Sequence, residues 1–150
     1  MRRFRGMALA LVMITLSTTA AMVRPGAPLP AVTVYKSASC SCCARWVDYM
    51  RAAGFKVEVH DVADVTEFAD AAGVPQALRS CHTAVVGGYT IEGHVDADLV
   101  KKLLSEHPAV AGLAVPGMVT GSPGMEGNRR DPYDVVAWSK KGTTSVYARR

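Results

Sequence analysis

Three cysteines fall within four residues, Cys40-Ser41-Cys42-Cys43, where a strand-like run meets a helix-like one. Upstream, Ala31-Val-Thr-Val-Tyr35 is β-branched, alternating and bounded by Pro30, which predicts a strand. Downstream, Ala44 to Ala53 predicts a helix: Trp46, Val47 and Met50 make an apolar stripe and Gly54 stands in the stop position. Sulfurs at such a junction lie at a helix N-terminus, where unpaired N–H groups and the helix dipole favour thiolate over thiol. Ser39 or Cys40 is placed to cap that helix.

The rest of the chain extends this start into a recognisable order. Phe55 to Val59 alternates as a second strand, and Asp64 to Ala72 reads as a second helix ended by Gly73 and Pro75. Thr83 to Val86 and Tyr89 to Val95 are two strands joined by Gly87-Gly88, a two-residue hairpin signal. Asp96 is expected to cap a third helix that runs to about Glu106 and stops before Pro108. The order β-α-β-α-β-β-α, with Cys-x-x-Cys at the first strand-to-helix turn, matches the thioredoxin pattern of an α/β fold. A loop rich in Met, Gly and Pro (Val115 to Gly127) and two strand-like runs, Tyr133 to Trp138 and Thr143 to Tyr147, follow as a C-terminal elaboration. No internal repeat is present, and residues 31–150 read as a single domain.

The N-terminus predicts export. Arg2, Arg3 and Arg5 precede the apolar run Met7 to Leu16, and Thr19-Ala20-Ala21 offers a small-residue cleavage site, so residues 1–21 read as a signal peptide and 22–30 as a linker. The run is too short for a permanent span, so no stable membrane insertion is expected after cleavage, and the expected location is the periplasm. Of the formal net charge of +4, three positive charges belong to this leader. The remainder is close to neutral and carries no Lys/Arg stripe, which argues against nucleic acid as a partner.

In an oxidising compartment, cysteines pair or hold metal. Two disulfides fit the four cysteines poorly, because Cys42 and Cys43 are adjacent; Cys40–Cys43 is a feasible bridge that leaves Cys42 to reach Cys81 or stay free. A thiol oxidoreductase needs two sulfurs, and a third beside them invites off-pathway bridges. Three close sulfurs suit a soft metal, above all Cu(I). Counting from Gly87-Gly88 places Cys81 near them: Val86 faces Tyr89, and the register puts Ile91 opposite Ala84, Glu92 opposite Thr83 and His94 opposite Cys81. In a thioredoxin-like fold that end of the hairpin abuts the Cys-x-x-Cys turn. Cys81 and His94 are therefore expected to converge on the cluster, with His82 pointing to the opposite face.

Met118 and Met125 are the remaining soft donors, on a loop able to fold over the cluster; they serve equally well as apolar pegs. His60 and His107 read as structural or solvated, Trp46 and Trp138 as core, and Asp61, Asp64, Glu67 and Asp70 as an exposed helix face and its approach. Arg45 either tunes the thiolates or sits on a solvated helix face.

Together, Cys40-Ser-Cys-Cys-Ala-Arg-Trp46, Ser80-Cys-His-Thr-Ala84, Tyr89-Thr-Ile-Glu-Gly-His94 and Gly121-Ser-Pro-Gly-Met-Glu126 resemble the CopG-like copper-handling proteins, domain-of-unknown-function family 411. The resemblance covers roughly Val32 to Tyr147. It implies a thioredoxin-like fold, periplasmic location and a role in copper resistance, with Cys40, Cys42, Cys43 and Cys81 as the copper site. Ser41, Asp96 and Val119 depart from the family pattern without removing a donor.

The expected function is thus copper binding as Cu(I) through Cys40, Cys42, Cys43, Cys81, His94, Met118 and Met125, with a multinuclear cluster and Cu(I)/Cu(II) cycling left open by the sequence. Copper export or chaperone proteins are the expected partners. Two alternatives stand beside it: a thiol–disulfide oxidoreductase with Cys40 attacking and Cys43 resolving, and a structural zinc site of Cys40, Cys43, Cys81 and His94.

Overall fold

The computed structural model describes residues 28–150; the expected leader and most of the linker lie outside the described residues. The elements are β1 (Val32–Lys36), α1 (Ser41–Ala52), β2 (Val57–Asp61), α2 (Thr66–Ala71), a single 3-10 turn (Gln76–Leu78), β3 (His82–Val86), β4 (Tyr89–Glu92), α3 (Ala97–Glu106), β5 (Gly112–Ala114), β6 (Asp134–Trp138) and β7 (Thr144–Arg149). All seven strands form one mixed sheet in the order β2-β1-β3-β4-β5-β6-β7. β1 runs parallel to β2 and antiparallel to β3, and β3 runs antiparallel to β4.

Two apolar clusters lie on opposite faces of this sheet. On one, Trp46, Val47 and Met50 of α1 and Val100 and Leu103 of α3 pack on Val32, Val34, Ala84, Val86, Ile91 and Leu113. On the other, Ala69 of α2, Val74 and Leu78 pack on Ala114 and Trp138. The period-2 alternation of strands feeds both: Val32 and Val34 face α1, while Tyr35 stacks on Phe68 of α2 with ring centroids 4.0 Å apart. Trp46 is fully buried and its indole N–H donates to the carbonyl oxygen of Val95 at 2.9 Å. A large aromatic in that position is worth about 3–5 kcal/mol against truncation.

Strand directions decide where the chemistry collects. Because β1 and β3 are antiparallel, with Lys36 opposite His82, the chain leaves β1 towards α1 at the sheet end where it enters β3. Because β3 and β4 are antiparallel, β4 leaves at that same end. The segments around Cys40, Cys81 and His94 therefore share one edge of the core. The hairpin register is the one counted from sequence, from Val86–Tyr89 to Thr83–Glu92, and both turn glycines have positive φ, 55° and 85°.

Several expectations change. α1 begins at Ser41, not Ala44, so Cys42 and Cys43 belong to its first turn. β4 ends at Glu92, not Val95, because Gly93 adopts φ 68° and turns the chain out of the ladder. Asp96 occupies the N-cap position of α3 but its side chain makes no cap bond; it accepts instead from the Tyr133 hydroxyl at 2.9 Å and pairs with Arg150. β5 was not expected: three residues buried on both faces show no alternation to read. Among the described residues no helix is long and apolar enough to cross a membrane.

Candidate metal centre

Cys40 is the N-cap of α1. Its φ and ψ of −77° and 96° are extended, and its sulfur accepts from the Cys43 N–H at 3.4 Å, the task an oxygen usually performs at a helix start. The same sulfur is bonded to Cys43 in a disulfide, while Cys42 and Cys81 are free thiols. Cys42 Sγ lies 3.4 Å from Cys40 Sγ, and Cys43 Sγ lies 3.5 Å from the carbonyl oxygen of Cys81. The sulfurs of Cys40, Cys42, Cys43 and Cys81 all fall within 4.8 Å of one another.

A second, overlapping group joins Cys81 to two imidazoles, again within 4.8 Å. His94 Nδ1 is 2.7 Å from the carbonyl oxygen of Pro123. A carbonyl only accepts, so Nδ1 carries the proton and the bare lone pair of Nε2 faces Cys81 Sγ at 3.0 Å. The geometry is that of a pre-oriented ligand, with its second nitrogen fixed by the backbone. His82 Nδ1 lies 3.5 Å from the same sulfur, and the ring stands edge-on to His94 and tilted against Trp46. His82 is fully buried and its Nε2 has no hydrogen-bond partner.

His82 does not point to the opposite face, as the strand alternation suggested. It shares its sheet face with Ala84 and Val86 beneath α1, and the chain is bent at Cys81 and turned at Gly93, so Cys81 and His94 swing onto that face as well. Alternation predicts facing only while the ladder lasts. His82 is the site residue that sequence reasoning missed, although its place next to Cys81 was a usable signal.

Burial sets the protonation of these groups. It pushes the Cys81 thiol up to about 12, with the neighbouring Cys42 adding to the rise. Burial also lowers His82 to about 3, helped by His94 beside it, and lowers His94, against which the Pro123 hydrogen bond acts. Both imidazoles are therefore neutral at neutral pH, the form that ligates metal.

The loop at 115–127 reaches the cluster through its backbone. Gly124, at φ 82°, lies so close to the helix that an added Cβ would stand 2.7 Å from the Cys42 carbonyl oxygen and 2.8 Å from the Trp46 nitrogen. Arg45 Nε donates to the Gly124 carbonyl at 2.9 Å, so this arginine fastens the loop to α1. Met125 is half-buried next to Gly124; Met118 is 58 % exposed on the same loop. The remaining histidines stand apart: His60 stacks on Tyr35, and His107 closes α3 in a left-handed conformation at φ 47°.

The donor set fits copper. It combines soft sulfurs with neutral imidazoles, includes a buried imidazole nitrogen without a partner, and contains no carboxylate in either group.

The family model described as "Protein of unknown function, DUF411" matches residues 78–125, which span the Cys81, His82 and His94 segments and the loop as far as Met125. Two solved structures named copper resistance protein CopG are similar to this chain. Form 2 is 45 % identical with a TM-score of 0.78, covering 83 % of this chain and 99 % of that one. Form 1 is 44 % identical with a TM-score of 0.77, covering 81 % and 98 %. No curated protein sequence matches. With identity at this level over nearly the whole of both structures, the chain belongs to the CopG-like DUF411 copper family.

Proposed function

We propose that this chain binds copper as Cu(I) through Cys40, Cys42, Cys43 and Cys81, with His94 and His82 completing the donors, and serves copper resistance in the periplasm. The observation that carries the reading is the meeting of four sulfurs within 4.8 Å, from two segments far apart in sequence, beside two neutral buried imidazoles. Family membership supports it, since the similar structures are named for copper resistance. Thiolates that bridge more than one Cu(I) make a multinuclear cluster the form we favour. Met125 on its loop is the better placed of the two methionines to assist. The location rests on the leader-like N-terminus.

A thioredoxin-like fold belongs to the same reading. The order β2-β1-β3-β4 with only β3 antiparallel to its neighbours, helices on both faces and Cys-x-x-Cys at the start of α1 support it.

The Cys40–Cys43 disulfide has a direct consequence. Two of the four sulfurs are unavailable until two electrons from a reductant have cleaved that bond to two thiolates (two thiols once two protons are taken up), so copper loading of all four requires the reduced form. The same bridge favours a second reading, a thiol–disulfide oxidoreductase using Cys40 and Cys43. It bears on the structural zinc alternative as it does on full copper loading, since that site too needs both of those sulfurs as thiolates.

Anaerobic Cu(I) titration of the reduced protein tests the proposal, read by metal analysis and thiolate-to-copper charge transfer. Copper uptake that falls sharply in Cys42→Ser and Cys81→Ser is the expected result. No stable copper, with disulfide exchange intact in Cys42→Ser, would favour the oxidoreductase.

A further inference from the structure

Glu92 is buried at 1 % exposure, a rare place for a carboxylate, and contributes to neither donor group. It pairs with Thr83 across the hairpin, one residue before Gly93 turns the chain. Its Oε1 accepts from the backbone N–H of Ser80 at 2.8 Å, and its Oε2 accepts from the Thr83 hydroxyl at 2.8 Å. Ser80 and Thr83 are the residues on either side of Cys81-His82. A single carboxylate therefore grips the chain before and after the two site residues that β3 delivers.

The surroundings reinforce that grip. The Gly93 N–H donates to the His82 carbonyl at 3.0 Å, the Gly117 N–H donates to the Arg79 carbonyl at 3.2 Å, and the Ser80 hydroxyl donates to the Gly117 carbonyl. Gly93 approaches Ser80 so closely that an added Cβ would stand 2.6 Å from the serine Cβ. Among the backbone N–H groups of Ser80, Gly93 and Gly117, that of Ser80 is the one whose acceptor is a side chain. It lies on a half-buried residue beyond the end of the ladder, where no strand neighbour serves it, and a backbone N–H withdrawn from water needs a partner. Glutamate is long enough to reach it from a position opposite Thr83.

We propose that Glu92 is a positioning residue: by holding Ser80 and Thr83 it sets where the Cys81 sulfur stands relative to the Cys40–Cys43 cluster and to His94. This rests on the copper-binding reading, but its geometry can be tested without copper. In Cys42→Ser protein with the Cys40–Cys43 disulfide intact, Cys81 is the one free thiol among the three remaining cysteines.

The experiment measures maleimide labelling of Cys81 in that background, and Cu(I) affinity of the reduced protein by competition with a chromophoric chelator. Glu92→Ala is expected to raise the labelling rate about ten-fold or more and to weaken copper by about ten- to a hundred-fold, as loss of an outer-shell support does. Glu92→Gln, whose amide oxygen keeps an acceptor for the Ser80 N–H and whose amide N–H can donate to the Thr83 hydroxyl oxygen, is expected to stay near the wild type in both. In Cys81→Ser protein, Glu92→Ala should cost clearly less copper affinity than it does with Cys81 present, because His82 is then the one donor left between its two anchors.

An unchanged labelling rate in Glu92→Ala overturns the proposal. So does an equal loss of copper affinity with and without Cys81, which would mean that Glu92 acts through the fold alone. Glutamine behaving as alanine overturns it too. Thr83→Val, which removes one of the two anchors and keeps the side-chain shape, carries the same measurements if Glu92→Ala does not fold. Wild-type protein that takes up no Cu(I) would overturn the copper reading, while the labelling arm still decides the role of Glu92.

Discussion

Cys81 stands 3.0 Å from His94 Nε2 and 3.5 Å from His82 Nδ1, and burial keeps its proton on up to about pH 12. Both neighbours are imidazoles pushed the other way, His82 to about 3. These shifts give the metal-free protein a stability that depends on pH in a definite sense. Between about 3 and the ordinary 6.5, the unfolded chain binds a proton at residue 82 that the folded chain does not, so stability falls as pH is lowered through that window. Above the ordinary thiol value of 9.0 the unfolded chain loses a proton that folded Cys81 retains to about 12, so stability falls again as pH rises. Urea midpoints measured across pH should show both limbs, with His82→Gln flattening the acid one and Cys81→Ser lessening the alkaline one. Copper entry must expel the Cys81 proton, so Cu(I) affinity should drop on acidification from neutral to mildly acidic pH. Affinity unchanged over that range would contradict thiolate ligation.

The helix α1 and the loop over it form the element that shapes the cluster. The helix supplies three sulfurs in its cap and first turn, and the loop places Gly124 against the Cys42 and Trp46 backbone and Pro123 against His94. Gly124 and Gly142 share φ 82°, but an added Cβ meets the helix at the first and nothing within 4 Å at the second. Left-handed backbone costs about 1–2 kcal/mol for an L-residue at either position. Gly142→Ala should therefore show only that loss in denaturant titration. Gly124→Ala should lose more, and faster amide exchange at 119–125 should accompany it as the loop lifts from α1. Equal losses at the two positions would mean that the loop yields without consequence for the helix.

At the scale of the molecule, the oxidation state of one bond decides how many donors the site offers. With Cys40–Cys43 closed, unfolding in denaturant without reductant should expose two titratable thiols, Cys42 and Cys81; reduction should raise the count to four. The oxidised protein should take up less Cu(I) than the reduced protein, by the same metal analysis. Equal uptake would place the copper on donors other than Cys40 and Cys43. The C-terminal elaboration also acts at this scale. β6 and β7 extend the sheet, and Tyr133 and Arg150 bind Asp96, two residues after His94. Asp96 is almost fully buried, so Tyr133→Phe should cost about 1–3 kcal/mol in unfolding experiments.

Local chemistry was enough to read much of this protein from its sequence. An apolar stripe marked α1, the stop residues Gly73 and Pro75 marked α2, Asp96 and Pro108 bracketed α3, Gly87-Gly88 set the hairpin register, and that register pointed Cys81 and His94 towards each other. Each of these depends on neighbours in the chain, which is why a string of residues carries it. β5 was hidden because a strand buried on both faces has no alternation, and the reach of the hairpin was overestimated because a single glycine, Gly93, ends it. The inward turn of His82, the grip of Glu92 on Ser80, the anchoring of Gly124 by Arg45 and the refusal of Asp96 to cap α3 follow from contacts between segments distant in sequence. Such contacts are chosen by burial: a polar group that folding removes from water takes whichever partner the packed chain brings within reach.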